Sequence, residues 1–203
     1  MTASSSARNQ DSLSQTQIDA LIRIVLTNPL LNTVFRKTPH LNLPEYYIGA
    51  GCIAQSVWNH SFGMPIDNGI RDIDWVYYDP DLSYDKECEV IDSVRREFDS
   101  LAVRLDIKNQ ARVHLWYEQH FGYPIEPFSS LEEAIRTWPT TATAIGMRMN
   151  PNKEWKVYAP FGLSDLFSLT VRANKVQITE EIYERKINRW KAIWPGLTVI
   201  PWE

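Results

Sequence analysis

Two aspartates separated by a single residue lie in the first half of the chain, in the segment Arg71-Asp72-Ile73-Asp74-Trp75-Val76-Tyr77-Tyr78. The β-branched and aromatic residues of this segment predict a strand over 72–78. Side chains two positions apart on a strand leave the same face, so the two carboxylates would lie together and repel each other. A divalent cation relieves such repulsion, and Mg²⁺ is typically held by a few carboxylates together with phosphate oxygens and water. A bare Asp-x-Asp is more often a solvent-facing strand start, so its meaning depends on its surroundings.

A glycine turn lies upstream of the aspartates. The β-prone run Tyr46-Tyr47-Ile48 stops at Gly49-Ala50-Gly51-Cys52, and helical spacing resumes in Ile53, Val57 and Trp58. Backbone amides at such a strand-to-helix turn form an anion site at the helix N-terminus. We therefore expect Gly49, Ala50, Gly51 and Cys52 to contact phosphate, although a glycine turn by itself is ordinary turn chemistry.

A third acid follows downstream. Residues 101–107 alternate between apolar and polar types, which predicts a half-buried strand with Asp106 near its end. On a strand next to Asp72 and Asp74, Asp106 would complete a three-carboxylate site for Mg²⁺ or Mn²⁺. Taken alone, Asp106 would be an ordinary strand-end residue. The turn and the three acids together predict phosphate binding beside an acidic metal site.

Basic residues flank the predicted acidic site. Arg71, Lys108 and Arg112 could each neutralise a polyphosphate, and an arginine could do so with two parallel hydrogen bonds. Arg112 is placed best, because it follows the Asp106 strand on a predicted helix. His114 could contact phosphate or the acceptor. The alternatives are ordinary surface charge for the cations and a structural role for the histidine.

Five further polar residues have open roles. Asn109 and Gln110 could cap the helix that follows the Asp106 strand or could contact a base. Arg172, Asn174 and Lys175 lie in a polar link, and the sequence does not define how far that link is from the acids.

This order of features resembles the DNA polymerase β-like nucleotidyltransferases: a glycine turn, a helix, an Asp-x-Asp strand and a third acid on a later strand. More narrowly, about residues 44–203 resemble an uncharacterised nucleotidyltransferase family of that superfamily. The matching segments are Ala50-Gly51-Cys52-Ile53, Val57-Trp58-Asn59, Asp72-Ile73-Asp74, 108–116, 141–146 and 159–166. The block at 108–116 is long enough to be quite specific. The sequence departs from the superfamily pattern at Cys52, where Ser or Gly is usual, and in its longer gap between Gly51 and Asp72.

The resemblance implies an α/β (α+β) fold, with a small mixed sheet flanked by helices and helical additions at both ends. It also implies a metal-dependent enzyme that moves a nucleoside monophosphate from a nucleoside triphosphate to an acceptor hydroxyl and releases pyrophosphate. Asp72 and Asp74 would hold the metal, and Asp106 would orient or deprotonate the acceptor. The alternative is a catalytically silent nucleotide-binding or interaction module of the same fold, because fold does not fix function.

The glycine turn also fits a dinucleotide-binding fingerprint. The segment from Gly49 to Ala54 matches G-x-G-x-x-A after a strand, and Asp79 could hold a ribose. Against this interpretation, the first helix is short, the loop between Gly63 and Gly69 interrupts the unit, and too few strand–helix units follow. A Rossmann-type binder is therefore less favoured.

The rest of the sequence predicts one domain. Residues 1–13, rich in Ser, Asn and Gln, form a predicted disordered tail. Residues 14–203 form a single nucleotidyltransferase-like domain, with N-terminal helices at 14–43, a catalytic core at 44–125 and a C-terminal part at 126–203. Capping patterns mark helix starts at Ser14/Gln17, Asn28-Pro29 and Ser130/Glu133. Further predicted elements are helices at 83–98, 111–121, 162–169 and 179–194, and strands at 143–147 and 155–158.

The composition is that of an ordinary globular protein. The 203 residues are 44% hydrophobic and 23% charged, which suits one domain. The net charge of −4 argues against a broad nucleic-acid surface, so a small-molecule or protein acceptor is favoured over long nucleic acid. A set of aromatic residues is predicted to pack in the core rather than to stack on bases: Trp138, Trp155, Tyr158, Trp190 and Trp194.

Cysteine spacing and hydropathy predict the cellular environment. Cys52 and Cys88 form no metal-binding or redox motif, which indicates reduced thiols. No apolar run reaches the roughly 18 residues needed to span a bilayer, and the first residues lack a signal-peptide core. We expect an intracellular protein, cytoplasmic or nuclear, without a membrane partner.

Overall fold

The computed structural model describes residues 13–41 and 43–203. The predicted disordered tail at 1–13 therefore lies, apart from Leu13, outside the described residues. The helices are α1 (Gln15–Leu26), α2 (Pro29–Lys37), α3 (Gly51–Phe62), α4 (Tyr84–Glu97), α5 (His114–Phe121), α6 (Leu131–Arg136), α7 (Ser164–Phe167) and α8 (Glu180–Ile193). The strands are β1 (Tyr46–Gly49), β2 (Asp72–Tyr77), β3 (Arg104–Asn109), β4 (Gly146–Met149), β5 (Trp155–Tyr158), β6 (Thr170–Val171) and β7 (Thr198–Val199).

Five strands form one mixed sheet in the order β3-β2-β1-β4-β5. Strands β2 and β3 are parallel and are joined through α4, whereas the other neighbouring pairs are antiparallel. Strands β6 and β7 form a separate parallel pair. A mixed sheet flanked by helices confirms the predicted α+β fold. It excludes the Rossmann interpretation, because β1 and β2 are antiparallel and a dinucleotide-binding unit needs parallel strands.

The two faces of β2 differ in character. Ile73 and Trp75 are fully buried in the main core, together with side chains of α3 and α4. The other face carries Asp72, Asp74 and Val76. Helix α6 packs against the Val76 end of this face, and the two aspartates keep partial exposure. The strand therefore presents its acids in a cleft that the helices leave open.

The N-terminal helices α1 and α2 pack against the main core. The predicted start of α2 is confirmed, because Asn28 Oδ1 accepts a hydrogen bond from the backbone N–H of Leu30 at 3.0 Å. The helix start predicted at Ser14 is confirmed, because Ser14 is the N-cap of α1, but its side chain makes no capping hydrogen bond. No single described helix is long and apolar enough to cross a membrane, and α1 with the segment 29–40 reaches that length only across a bend of 106°.

The capping box predicted at the start of α6 is half formed. Ser130 Oγ accepts a hydrogen bond from the backbone N–H of Glu133 at 3.1 Å, as expected. The Glu133 carboxylate instead accepts hydrogen bonds from the N–H and hydroxyl of Ser129, at 2.6 and 2.7 Å. The reciprocal bond is therefore shifted by one residue.

Several predicted elements lie elsewhere than expected. The strand predicted at 101–107 is β3, which begins later, at Arg104, because the parallel pairing with β2 begins there. The strand predicted at 143–147 begins at Gly146, because a turn occupies the preceding residues. The helix predicted at 162–169 is the single turn α7, which ends where Leu169 adopts a positive φ of 57°. The helix predicted at 111–121 divides into a 3-10 turn at 110–112 and α5.

Buried tryptophans join the C-terminal helix to α3. Trp190 and Trp194 each pack edge-on against Trp58, with ring centroids 5.3 Å apart. Trp194 Nε1 donates a hydrogen bond to Asn59 Oδ1 at 2.7 Å, and Asn59 Nδ2 donates to the carbonyl of Asn68 at 2.8 Å. These contacts confirm the predicted core role of the two C-terminal tryptophans, and they fix the long loop between α3 and β2.

Candidate active site

The three predicted acids lie on two neighbouring strands. Asp72 and Asp74 share one face of β2, and the parallel pairing places Asp106 of β3 directly beside Asp74. Gly49, at the end of β1, is the partner of Asp74 on the other side. Asp74 is therefore the central residue of the cluster, with an acid on one side and the glycine turn on the other.

Two cations next to the cluster bind its outer members. Arg104 Nη2 lies 3.6 Å from Asp72 Oδ2 and 3.8 Å from Asp106 Oδ1. Lys108 Nζ pairs with Asp106 Oδ2. Asp74 forms no ion pair with any residue that the structure describes. The central carboxylate thus has two acidic neighbours and no direct counter-charge.

The surroundings of Asp74 change its protonation. Its side chain keeps an edge on the cleft, but protein atoms crowd it on the other sides. Burial raises the pKa of Asp74 to about 7, and the charges of Asp72 and Asp106 act in the same direction against Lys108 and Lys186. Burial and the two neighbouring acids thus favour the protonated form of Asp74, and a bound cation would favour the ionised form.

The donor set fits a hard divalent cation. All three side chains offer carboxylate oxygens, which are the ligands of Mg²⁺ and Mn²⁺. The described residues contain no three acidic, Cys or His side chains already closed around one point, in keeping with the ion pairs of Asp106. Binding of a cation would require Asp106 to exchange Lys108 for the ion.

The first half of the glycine turn serves the packing of the chain. A Cβ atom on Gly49 would lie 2.3 Å from the carbonyl oxygen of Ile145 and 2.9 Å from the Trp138 ring. Ala50 has φ 56° and ψ −129°, a conformation that favours glycine, and its N–H donates to the same Ile145 carbonyl at 3.0 Å. This half of the turn is therefore fixed by β4 and the segment before it.

The second half of the turn begins α3. A Cβ atom on Gly51 would meet only the flexible amide of Gln55, at 2.9 Å. The N–H groups of the first helical turn have no partner within the helix, so they are available to an anion. The Cys52 thiol does not join them, because it is buried and donates to the carbonyl of Gly49 at 3.1 Å. The expected contact of Cys52 with phosphate is thus restricted to its backbone N–H.

The structure places three of the predicted basic residues in different surroundings. Lys108 lines the cleft beside Asp74. Arg71 is exposed in the loop just before β2 and makes no ion pair with the described residues. His114 starts α5 and does not line the cleft, and its Nδ1 atom is buried without a hydrogen-bond partner in the described structure. Only Lys108 of these three is placed beside the acids.

Arg112 makes its contacts away from the acids, and its expected contact with nucleotide stays a prediction that these contacts do not favour. Its Nε atom lies 2.8 Å from the Glu87 carboxylate of α4, and its Nη1 atom donates to the carbonyl of Leu82. The two charged side chains are only 11% and 13% exposed. The guanidinium therefore ties the end of β3 to α4, which lies against the other face of the sheet.

Four of the five residues of open role make structural contacts in this fold, and the fifth, Gln110, lines the cavity beside Asp74. Asn109 Oδ1 caps the following 3-10 turn by accepting from the N–H of Ala111, and its amide donates to the carbonyl of Asp79 at 2.8 Å. Asn174 is buried and donates to the carbonyls of Arg136 and Trp138. Arg172 pairs with Asp165 at 3.2 Å, and Lys175 lies over the Trp202 ring.

Two cations of the site carry no signal in the sequence. Arg104 precedes Asp106 by two positions on β3, and Lys186 lies in the middle of α8, where it lines the cleft with Asp74 and Lys108. Burial and then the neighbouring Arg189 lower the pKa of Lys186, while Asp74 and Asp72 oppose the shift. Only the folding of α8 across the sheet brings this lysine from the far end of the chain to the acids.

A cavity of about 220 Å³ opens beside Asp74. Asp74 and Val76 of β2 and Lys108 of β3 form its floor, and its walls come from α5, from the segment after α6 and from α8. Trp138 packs against the small buried cluster that includes Tyr47 and Ile135, as predicted, and its side chain also lines this cavity. Asp74 therefore borders a largely apolar cavity on one side and the glycine turn at the start of α3 on the other.

Comparison with known proteins identifies a family and a similar fold. A family model described as nucleotidyltransferase matches residues 36–199. An NMR structure that reveals a CCA-adding enzyme head domain is similar over 95% of this chain and 99% of that chain, with 22% identity and a TM-score of 0.73. At that identity, the likeness shows the fold alone. No curated protein matches the chain significantly.

A structure of a CCA-adding enzyme in complex with CTP is also similar, with 17% identity and a TM-score of 0.49. A tRNA-processing enzyme in an apo form has 15% identity and a TM-score of 0.44. The similarity to these two spans 83% and 76% of this chain but only 39% and 41% of theirs.

Proposed function

We propose that this chain, which belongs to the nucleotidyltransferase family, moves a nucleoside monophosphate from a nucleoside triphosphate to an acceptor hydroxyl in a Mg²⁺-dependent reaction. One observation carries the proposal. Asp74 stands between Asp106 on β3 and the glycine turn at the end of β1, so an acidic cation site adjoins a helix N-terminus that can receive phosphate.

The cation would be held by Asp72, Asp74 and Asp106. Bound Mg²⁺, or Mn²⁺, supplies Lewis-acid stabilisation of the charge on the reacting phosphate. The oxygen-only donor set and the raised pKa of Asp74 support this assignment.

The triphosphate would lie along the N-terminus of α3. The free N–H groups of its first turn, at Gly51 and Cys52, would donate to the β- and γ-phosphates. Lys186, which faces the acids from α8, would neutralise phosphate charge. Lys108, which pairs with Asp106 in this structure, would be free for the same task if Asp106 bound the cation.

The reaction itself is an in-line displacement. The acceptor oxygen forms a bond to the α-phosphorus, and the bond from that phosphorus to the bridging oxygen breaks. The pyrophosphate leaves with the electron pair, and the acceptor proton passes to the Asp106 carboxylate and then to water. Asp106 is the acid on the strand farthest from α3, so it stands on the acceptor side of the site.

Calorimetric titration with the α,β-methylene analogues of ATP, CTP, GTP and UTP tests the proposal without knowledge of the acceptor. We expect at least one analogue to bind in the presence of Mg²⁺ and not in the presence of EDTA. Asp74→Asn should lose this binding, and Asp99→Asn, which changes an exposed aspartate outside the site, should keep it. Binding of no analogue, or equal binding by both variants, would overturn the proposal.

A further inference from the structure

We infer that the cavity beside Asp74 is the acceptor pocket and that it takes a compact, single-ring aromatic molecule bearing a hydroxyl on a short arm. The inference rests on the proposed function, since it names the second substrate of the same site. It distinguishes a small aromatic acceptor from the end of a nucleic-acid chain.

The direction of the reaction assigns the cavity to the acceptor. In an in-line displacement, the attacking and leaving oxygens lie on opposite sides of the α-phosphorus. The leaving pyrophosphate belongs at the N-terminus of α3, beside β1. The attacking hydroxyl must then come from the side of β3, and the cavity lies there, bordered by Lys108 and Gln110 at the end of that strand.

The lining of the cavity selects an aromatic ring. Its walls carry the side chains of Trp116, Tyr117, Phe121, Phe128 and Trp138. Aromatic side chains of this kind pack on flat apolar groups by offset or edge-on stacking. The available volume of about 220 Å³ exceeds the roughly 150 Å³ of an engineered cavity that binds benzene, so one ring with short substituents fits.

One wall of the pocket is fixed before any ligand binds. Tyr117 Oη lies 3.2 Å from Tyr123 Oη, and Tyr123 Oη donates to the carbonyl of Gln177 at 2.5 Å. This chain of hydrogen bonds ties α5 to the segment that leads into α8. A pre-formed apolar wall is typical of small-molecule sites, whereas strands of nucleic acid need an open groove.

Gln110 supplies the polar group that would recognise the ligand. The residue is only 5% exposed, it lines the cavity, and its side-chain amide forms no hydrogen bond with the described residues. Its amide atoms are not sealed inside the protein, so a molecule in the cavity can reach them and form the hydrogen bonds that no described residue supplies. Gln110 is therefore placed to bind a polar substituent on the ring, while Asp74 and Lys186 mark the end of the cavity where the reacting hydroxyl would lie.

Protein NMR with 2-(4-hydroxyphenyl)ethanol as the probe tests the pocket in the absence of nucleotide. We expect saturable shifts of the Trp116 and Trp138 indole signals in the wild-type protein. Gln110→Leu keeps the shape of the side chain and should weaken probe binding by about tenfold, the equivalent of one lost hydrogen bond of ~1.4 kcal/mol. Ile182→Trp, at a partly buried position of the lining, should fill the cavity and abolish the shifts.

Matched controls and a nucleotide titration separate the outcomes. Gln119→Leu and Val176→Trp make the same changes at exposed positions outside the cavity and should bind the probe like the wild type. The affinity of Gln110→Leu for Mg²⁺-nucleotide should stay within about threefold of the wild-type value, a change of only ~0.6 kcal/mol. The reason is that the inference assigns Gln110 to the acceptor and not to the nucleotide. A large loss of nucleotide affinity in Gln110→Leu would instead assign the cavity to the nucleobase and overturn the inference.

Two further outcomes would also overturn the inference. One is the absence of probe binding in a wild-type protein that binds Mg²⁺-nucleotide. The other is displacement of the probe by a short single-stranded RNA, which would assign the cavity to a terminal base. A protein that binds the probe but no nucleotide would refute the proposed function, and with it the role of this cavity as an acceptor site.

Discussion

Asp74 on β2 lies directly opposite Asp106 on the parallel strand β3. Neighbouring strands are about 4.8 Å apart, so the register alone holds two carboxylates side by side on one face of the sheet. A rigid sheet, rather than mobile loops, therefore maintains their repulsion. The behaviour of the protein in the absence of metal should reflect this arrangement.

Asp74 should make the metal-free protein less stable as the pH rises. Its pKa is about 7 in the folded protein, against an ordinary value of 3.8. The folded state holds this proton more tightly than the unfolded state. Protonation of Asp74 therefore stabilises the folded protein fully below pH 4, and this stabilisation is lost between pH 4 and 7. At pH 8 in EDTA, Asp74→Asn should therefore melt about 3 °C or more above the wild type.

Melting curves at two pH values check this prediction. The difference in Tm between Asp74→Asn and the wild type should shrink at pH 5, and Mg²⁺ at pH 8 should raise the Tm of the wild type only. A lower Tm for Asp74→Asn in EDTA at pH 8 would show that the carboxylate is not under repulsion.

Gly51 should matter for nucleotide binding but not for folding. A side chain at this position meets only the flexible amide of Gln55, so Gly51→Val should fold. The added branch would block the approach of phosphate to the first turn of α3 and should weaken the affinity for Mg²⁺-nucleotide by about tenfold or more, a loss of ~1.4 kcal/mol. Calorimetry on the folded variant measures this affinity. An unchanged value would show that the N-terminus of α3 does not bind the nucleotide.

Gly49 should show the opposite behaviour. A Cβ atom there would lie 2.3 Å from a backbone carbonyl that cannot move freely. We expect Gly49→Ala to lower the free energy of unfolding by about 3 kcal/mol or more, the upper part of the range for overpacked positions. Urea denaturation measures the change. A variant as stable as the wild type would show that the backbone next to Gly49 shifts to make room for the methyl group.

Arg112 should stabilise the fold without contacting nucleotide. Removal of one partner from a buried ion pair costs about 3–5 kcal/mol, because the other charge is left buried and unpaired. Arg112→Met should therefore be strongly destabilised, and Glu87→Gln in the same background should recover part of the loss. Nucleotide affinity of the folded variant should equal that of the wild type, whereas a selective loss of affinity would restore Arg112 to the site.

Lys186 should contribute to the binding of the nucleotide phosphates. Lys186→Met keeps the length of the side chain and removes its charge, and we expect the affinity for Mg²⁺-nucleotide to fall by about tenfold, the loss of one charge-assisted hydrogen bond. Lys191→Met, on an exposed position of the same helix, is the matched control. Equal affinities in the two variants would show that Lys186 serves only the packing of α8.

The sequence allowed the local parts of the site to be predicted, because strand alternation decides which face a side chain occupies. The spacing of Asp72 and Asp74 predicted their common face, and the next predicted strand supplied Asp106. The position of Arg112 could not be foreseen in the same way. Its distance along the chain from Asp106 is short, but the 3-10 turn between β3 and α5 directs it to Glu87.

Long-range packing explains what the sequence did not reveal. Lys186 reaches the cleft because Trp190 and Trp194 anchor α8 on Trp58, and no local pattern encodes that contact. The cavity itself depends on α5, the segment after α6 and α8 meeting over one face of the sheet. For the same reason, the sequence could not predict that Trp138 lines the cavity.

The most direct test of the central claim is the release of pyrophosphate from a mixture of the four nucleoside triphosphates, with Mg²⁺ and with water and protein hydroxyls as acceptors. The wild type and Asp99→Asn should release pyrophosphate at similar rates, and EDTA should stop both. Asp74→Asn should lose this activity by orders of magnitude while its Tm in EDTA holds or rises. Equal rates in Asp74→Asn and the wild type would contradict the assignment of the acidic cluster as the catalytic site.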